Sequence, residues 1–357
     1  MYEVGSEFEF NNIEQSGSLF SKFECIGAYE TFRSGRDALG FVADDYMHYS
    51  GNAQVLLPAY SCSAMVQPFC ERSFNVNFYK LSTGLEIDAD DAINKLPANK
   101  EALLIMMNFW GICNQNQAIK KIKDKRPKTL IIEDFTHILL SPGLINVDSV
   151  DYFVASIRKW IGIPDGGIAI KKGTPFVAAK QEADCNFVDI RKRALKIKKQ
   201  YIMLGGVDLK KEYRNLFKYA DGLLNSTKVP YAMSDESLKI LNNLCLDSIS
   251  YKRQCNYSYL YERLINLSNK LTLFKRNTKS VVPFMLPFCV DNRDQLQKEL
   301  AFNGVYAPVI WPISKEAEET CCVSRNLSNN ILAFWIDQRY THFDMEYIYH
   351  TLTNILK

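Results

Sequence analysis

"DYFVASIRKWIGIPDGGIAI", residues 151–170, is the stretch from which the chain is best read. Two apolar strand-like runs flank a turn of unusual content. Lys159 stands between Arg158 and Trp160, and Pro164-Asp165-Gly166-Gly167 follows at once. A lysine between buried strands has to be paired, desolvated or covalently used, because an isolated ammonium in an apolar surrounding is too costly to keep.

Outward from this turn the same kind of strand recurs. "AQVLLPAY" (53–60), "FNVNFYKL" (74–81), "EALLIMMNF" (101–109), "TLIIEDF" (129–135), "DYFVAS" (151–156) and "GGIAIK" (166–171) are apolar and largely unalternating, as in sheets covered on both faces. Helical patterns such as 34–47 and 114–125 lie between them, which predicts a mostly parallel sheet with helices on both sides. From about 174 to 270 the pattern is helical, with one long segment at 187–226 and an interruption at "STKVPYAMSDES" (226–237), where Ser234 is a plausible helix cap. After 272 strands and helices mix again: strand at 280–290, helix at 291–304, strands at 305–313 and 329–337, and a last helix to Lys357. The fold class expected is α/β, with a large domain over 1–245 and a small α+β domain over 246–357.

Composition excludes several classes. At 357 residues, with 47% hydrophobic and 23% charged residues, the chain can bury a sizeable core and is not of disordered type. A balance of 43 basic to 40 acidic residues, net +3, gives no footprint for nucleic acid or an anionic membrane. The basic run "RKRALKIKK" (191–199) has Ala194, Leu195 and Ile197 at helical spacing and reads as the solvated face of an amphipathic helix. The apolar runs are strand-sized, so no membrane span is expected, and the first residues carry no signal-peptide pattern. Ten scattered cysteines without a C-x-x-C pair are expected to be reduced and cytoplasmic, and four dispersed histidines (His48, His137, His342, His350) give no metal-ligand spacing.

Chemistry concentrates at the strand ends. Asp134 closes a buried strand, where open α/β sheets place ligand groups; alone it would equally serve as a solvent-facing or turn-capping acid. His137 follows three residues later, and Lys159 comes on the next strand. A carboxylate, a histidine and a lysine on successive strand ends suit a cofactor with a pyridine ring. The acid keeps the ring nitrogen protonated, and the lysine amine holds and exchanges an aldehyde. Such a cofactor carries a phosphate, and Ser34-Gly35-Arg36 before an apolar-periodic helix offers hydroxyl, backbone amides and guanidinium at the helix's positive end, although the same triplet also suits simple capping. Ser156 is a second hydroxyl three residues before Lys159.

Seven segments in order resemble the DegT/DnrJ/EryC1/StrS sugar aminotransferases, a branch of the fold-type-I pyridoxal-phosphate enzymes. "SGRDAL" (34–39) resembles their phosphate turn, and "LLPAYSCSAMVQPF" (56–69) the segment beside the cofactor ring. "NFWG" (108–111) and "IEDFTH" (132–137) resemble two strand-end motifs, "SIRKWIGIPDGG" (156–167) resembles the lysine motif, and "NGVYAPVIWP" (303–312) with "IDQRY" (336–340) resembles small-domain hallmarks. The resemblance implies that Lys159 carries pyridoxal 5'-phosphate covalently and then moves the substrate proton. It further implies that Asp134 binds the ring nitrogen, that His137 binds the phenolic oxygen, and that Ser34, Gly35, Arg36 and Ser156 hold the phosphate. Tyr60, Cys62 and Asn108 would also border the cofactor. Cys62 stands where the family has an aromatic stacked on the ring, so either the thiol or a ring from Tyr60 or Phe109 covers that face. The Asn and Arg of the family's partner-subunit loop are absent near 229–233.

The activity implied is transfer of an amino group, from glutamate, to a nucleotide-linked keto-sugar by a homodimer, with lysine rather than histidine at 159 favouring transamination over dehydration. The other readings are a catalytically idle cofactor-binding or regulatory homologue, and another pyridoxal-phosphate reaction on a sugar nucleotide.

Overall fold

A computed structural model of the chain describes residues 3–10, 17–274 and 281–357. The strands are β1 (Val4–Gly5), β2 (Ala28–Phe32), β3 (Gln54–Pro58), β4 (Asn75–Tyr79), β5 (Ala102–Met107), β6 (Thr129–Asp134), β7 (Tyr152–Ser156), β8 (Gly167–Lys171), β9 (Thr272–Leu273), β10 (Leu286–Cys289), β11 (Val305–Tyr306) and β12 (Ile331–Phe334). The helices are α1 (Gly35–Tyr49), α2 (Ser63–Cys70), α3 (Ala89–Lys95), α4 (Asn116–Lys125), α5 (Cys185–Leu204), α6 (Val207–Ser226), α7 (Asp235–Leu241), α8 (Leu246–Leu264), α9 (Arg293–Phe302), α10 (Lys315–Thr320), α11 (Cys322–Asn330) and α12 (His342–Ile355).

Seven strands form the central sheet in the order β2-β8-β7-β6-β5-β3-β4. β3 to β7 run parallel, and β8 runs against both β7 and β2. The expected apolar strands are all present. Every residue of β5, β7 and β8 is buried, as strands covered on both faces require. The edges are marked by polarity: β4 carries Asn75 and Asn77, and β2, which the hydrophobic pattern does not announce, carries Glu30 and exposes its first two residues. Because the strands are parallel, the carboxyl ends of β3, β5, β6 and β7 face one side, and each leads directly into a segment of interest: Tyr60–Cys62, Asn108, Asp134–His137 and Ser156–Lys159.

The first hydrophobic core surrounds this sheet. A second lies between the antiparallel sheet β12-β10-β9 and helices α8, α9 and α12, around Leu260, Phe288, Leu300, Phe334 and Leu352. Phe284, Ile310 and Ala333 belong to the first core, so the C-terminal region also packs on the large sheet.

Three expectations are corrected. The segment 187–226 is two antiparallel helices, because Gly205 and Gly206 adopt φ of 72° and 106°, values that reverse the chain after Leu204. The run 191–199 is only partly solvated: Arg191 and Lys198 are 2% and 4% exposed, with Arg191 lying over the Phe217 ring of α6 and facing Glu7 at 3.7 Å. Residues 305–313 form only the two-residue β11 and a bridge at Val309, while α10 and α11 occupy the interval before β12. No helix among the described residues is long and apolar enough to cross a membrane.

Glu133 of β6 is fully buried; its Oε2 accepts from Asn146 N–H at 3.0 Å and its Oε1 has no hydrogen-bond partner. Burial pushes its pKa up to about 8, against the Asn146 hydrogen bond and helped by the neighbouring Asp134. A carboxyl held protonated in the fold contributes stability that is complete below its unfolded pKa and is lost as pH rises through about 8. Glu133→Gln should therefore match the parent at pH 4 and be more stable at pH 8, by on the order of a few kcal/mol. Denaturant unfolding at the two pH values checks this.

Candidate functional site

Three strand ends and the start of α1 enclose one cavity. Ser34, Gly35, Arg36, Cys62, Asp134, Ser156, Arg158 and Lys159 line it, with Ala64, Met65, Thr136 and Leu224. Seven of the ten residues expected at the site thus meet there. His137, Tyr60 and Asn108 are not among the lining residues.

Local chemistry explains the placement. β7 ends at Ser156, and a single 3-10 turn, Ile157–Lys159, swings Lys159 to the carboxyl edge of the sheet. The chain then returns through Gly166-Gly167 into β8. A Cβ on Gly167 would sit 2.2 Å from Ser34 O and 2.8 Å from Gly35 N, so only glycine lets this turn lie on the first turn of α1. Gly166 N–H donates to Arg33 O at 2.8 Å, and a Cβ on Gly35 would meet Ser156 at 3.0 Å. Asp165 anchors the turn on its far side, accepting from Ser234 N–H and Ser234 Oγ, each at 2.7 Å, and from Ser237 Oγ. Ser234 also caps α7, as its position before an apolar run suggests.

Asp134 is buried, and its Oδ1 accepts from Thr136 N–H at 2.9 Å. Burial raises its pKa, while Thr136 and the Lys159 ammonium pull it down. Lys159 acts on two further groups. The Cys62 thiol is pushed up by burial against its influence, and His137 is driven well below the usual histidine range by burial and by the same ammonium. The His137 ring lies between Trp110, Phe284 and Trp311, with centroids 5.0, 4.8 and 5.5 Å away. Its Nδ1 accepts from Trp110 N–H at 3.3 Å, which puts the proton of the neutral ring on Nε2.

The open question at the ring-facing position is answered for the wall itself. Cys62, Ala64 and Met65 line the cavity, whereas Tyr60 is packed against Phe109, Trp110 and Trp311 at 5.7, 6.4 and 5.3 Å. Asn108 is buried, and its Oδ1 accepts from the Cys113 thiol. Ser34 Oγ caps α1 by accepting from Asp37 N–H and donates to Asp37 Oδ2 at 2.5 Å. Arg36 reaches the end of α6, where its Nη1 donates to Leu224 O at 2.9 Å and Asn225 Oδ1 at 2.5 Å.

Two residues of the cavity escaped the sequence reading. Thr136 receives Ser156 N–H at its hydroxyl and Trp160 Nε1–H at its carbonyl, so it joins β6 to the lysine turn. Arg158 is read in sequence only as a neighbour of Lys159, yet it lines the cavity. Buried Nε atoms of both Arg36 and Arg158 have no hydrogen-bond partner. An amine, a buried carboxylate, the free N–H groups of a helix start and unmatched guanidinium nitrogens fit a phosphorylated pyridine aldehyde.

No family model and no curated protein matches the sequence. Solved structures do match the fold. Spr1654 of Streptococcus pneumoniae, assigned as a sugar aminotransferase and solved in its PLP form, superposes with a TM-score of 0.69 at 12% identity, covering 99% of this chain and 98% of its own. PseC of Helicobacter pylori, an aminotransferase in pseudoaminic acid biosynthesis, gives 0.66 at 10% identity with 99% of each chain covered. A DegT/DnrJ/EryC1/StrS aminotransferase of Brucella abortus gives 0.58 at 13% identity, covering 96% of this chain and 91% of its own.

Gly167→Ala should cost about 1–3 kcal/mol, because the α1 start must move to admit a methyl group. Chemical denaturation measures the loss, and a change below about 0.5 kcal/mol would contradict the close approach. From end to end, the chain has the α/β fold, with a mostly parallel central sheet, of these pyridoxal-phosphate-dependent aminotransferases.

Proposed function

We propose that the protein is a pyridoxal-phosphate-dependent aminotransferase of the DegT/DnrJ/EryC1/StrS kind, moving an amino group from glutamate to the ketone of a nucleotide-linked keto-sugar. The observation that carries this reading is the convergence of Lys159, Asp134 and the first turn of α1 on one cavity. When bound, the cofactor supplies an electron sink for charge developing at the substrate carbon.

The chain's own residues divide the remaining work. Lys159 holds the cofactor through its Nζ and, once displaced by the substrate amine, moves a proton at the substrate carbon. Asp134 would hold the ring nitrogen, and a cationic partner there would offset the burial that raises the carboxyl's pKa. His137, neutral and protonated on Nε2, supplies a hydrogen bond to the phenolic oxygen without adding charge. The N–H groups of Gly35 and Arg36, with Ser156, seat the phosphate. Ser34 contributes by holding the α1 start in place, since its hydroxyl is engaged with Asp37.

The proposal includes the division into a large unit, 1–245, and a small one, 246–357, action in the cytoplasm and a homodimeric assembly. All ten cysteines are free thiols, in keeping with a reducing compartment. Ile202, Met203, Leu204 and Val207 at the α5–α6 tip are 57–82% exposed, apolar surface of the kind a partner covers. The aromatic stretch 251–264 is used differently. Its Arg253 lies over the Trp160 ring at 4.4 Å and donates to Phe284 O at 2.9 Å, tying α8 to the lysine turn.

Borohydride reduction of the PLP-loaded protein, followed by peptide mapping, should label Lys159; a label on another lysine, or none, overturns the assignment. Asp134→Asn should lower turnover by about a thousandfold, the scale of losing a charged partner in a water-excluded site, and activity within threefold of the parent would refute its role. Glutamate should abolish the visible absorbance of the loaded protein, an effect an idle homologue lacks. Light scattering should show a dimer, and a fully active monomer at assay concentration would remove that part of the reading.

A further inference from the structure

Three buried arginines are matched, while a fourth, Arg191, keeps its Nε and Nη1 without a hydrogen-bond partner beside Glu7. Arg33 pairs with Asp37 and Asp184 at 2.9 and 2.7 Å. Arg339 pairs with Asp337 and Glu9 at 2.7 and 3.2 Å. Arg253 donates to three backbone carbonyls and to Gln338 Oε1. Arg158 is half-buried and, unlike these four, lines the cavity. Its Nε is enclosed without a hydrogen-bond partner, and it forms no ion pair with any carboxylate of the described residues. Arg158 also acts on Glu7, but that carboxylate is shared with Arg191, Lys198 and Arg339, and its nearest cation is Arg191.

The cavity shows what Arg158 faces. Ser34, Gly35, Arg36, Ser156 and Arg158 line it together. Arg36 is held below the usual guanidinium range first by burial and then by repulsion from Arg158, and both cations line this one cavity. Each has a buried, unmatched Nε, and the helix start between them presents further N–H donors. Like charges brought together with unused donors call for an anion, and a phosphate dianion has the charge and the acceptor oxygens to satisfy both.

We infer that Arg158 is a positioning residue for the cofactor phosphate, closing with Arg36 on a dianion seated at the first turn of α1. This rests on the reading of the cavity as a pyridoxal-phosphate site. Consecutive residues of one turn then hold the two ends of the same ligand: Arg158 its phosphate, Lys159 its aldehyde carbon. Because Arg36 keeps its bonds to Leu224 and Asn225, the phosphate also becomes linked to the end of α6.

The test compares pyridoxal 5'-phosphate with unphosphorylated pyridoxal, each titrated into apo protein and followed by absorbance of the lysine adduct and tryptophan quenching. Arg158→Ala should raise the Kd for the phosphorylated form about 10- to 100-fold, the range of a lost charged hydrogen bond, and leave the pyridoxal Kd within twofold. Arg158→Lys should recover part of the loss. Arg158→Gln, which keeps size and polarity without charge, should behave like the alanine variant and serves in its place if that variant does not fold. Unchanged affinity for the phosphorylated form, or equal weakening of both ligands, overturns the inference while leaving the wider reading standing. A parent protein that binds neither ligand overturns both.

Discussion

The arrangement of the site depends on one steric constraint, the contact of the Gly166-Gly167 backbone with Ser34 and Gly35. β8 lies between β7 and β2, and its first residue pairs with Ser156 on one side and Phe32 on the other. The lysine turn and the helix start are therefore two consequences of one strand's position. A side chain at 167 would separate them; without one, Gly166 N–H bonds Arg33 O and the backbone itself closes the gap. Asp165 extends the lock to a third element through Ser234 and Ser237. Burial raises its pKa, and the three donors oppose the rise, so the turn gains rigidity from an acid whose charge α7 partly supports.

Around this lock the buried charges fall into two kinds. Asp45 receives Lys171 Nζ at 2.7 Å, Tyr152 OH at 2.9 Å and Val177 N–H at 2.7 Å, leaving little of its acceptor capacity unused. Such groups stabilise by being complete, since removing a partner would strand a charge. The cavity groups are incomplete by the same standard. Leaving buried donors unmatched costs on the order of 1–3 kcal/mol each, a cost that persists in folded proteins mainly where a ligand relieves it. Unmatched polar atoms also occur in the scaffold, at Arg191 and at Glu133 Oε1, so what sets the site apart is that two of them, on Arg36 and Arg158, share one cavity.

How far the sequence disclosed this follows from how local each signal is. Unalternating apolar runs placed the parallel strands, and Ser234 and the Gly-Gly turn were visible as short patterns with one physical meaning each. The α5–α6 reversal lay in Gly205-Gly206, yet helical periodicity on both sides masked it. Arg191 and Lys198 looked solvated because what buries them is remote: Phe217 and Glu7 for Arg191, Ser6 for Lys198. β2 was missed because an edge strand with Glu30 carries too little apolar signal. Arg158 was legible as a cation but not as an unmatched one, since matching is a property of the whole fold.

The cavity wall at Cys62 follows from where the aromatic residues are needed. Tyr60, Trp110 and His137 come from the ends of β3, β5 and β6 and pack on Trp311 from the C-terminal region, His137 also on Phe284, while Phe109 packs on Tyr60 and Trp110. Tyr60 and Trp110 are not among the residues that line the cavity. The position at the start of α2 is left to a small side chain, and burial keeps the Cys62 thiol protonated beside Lys159. A neutral, polarisable sulfur adds no charge beside Lys159 and Asp134, so the wall there contributes only shape.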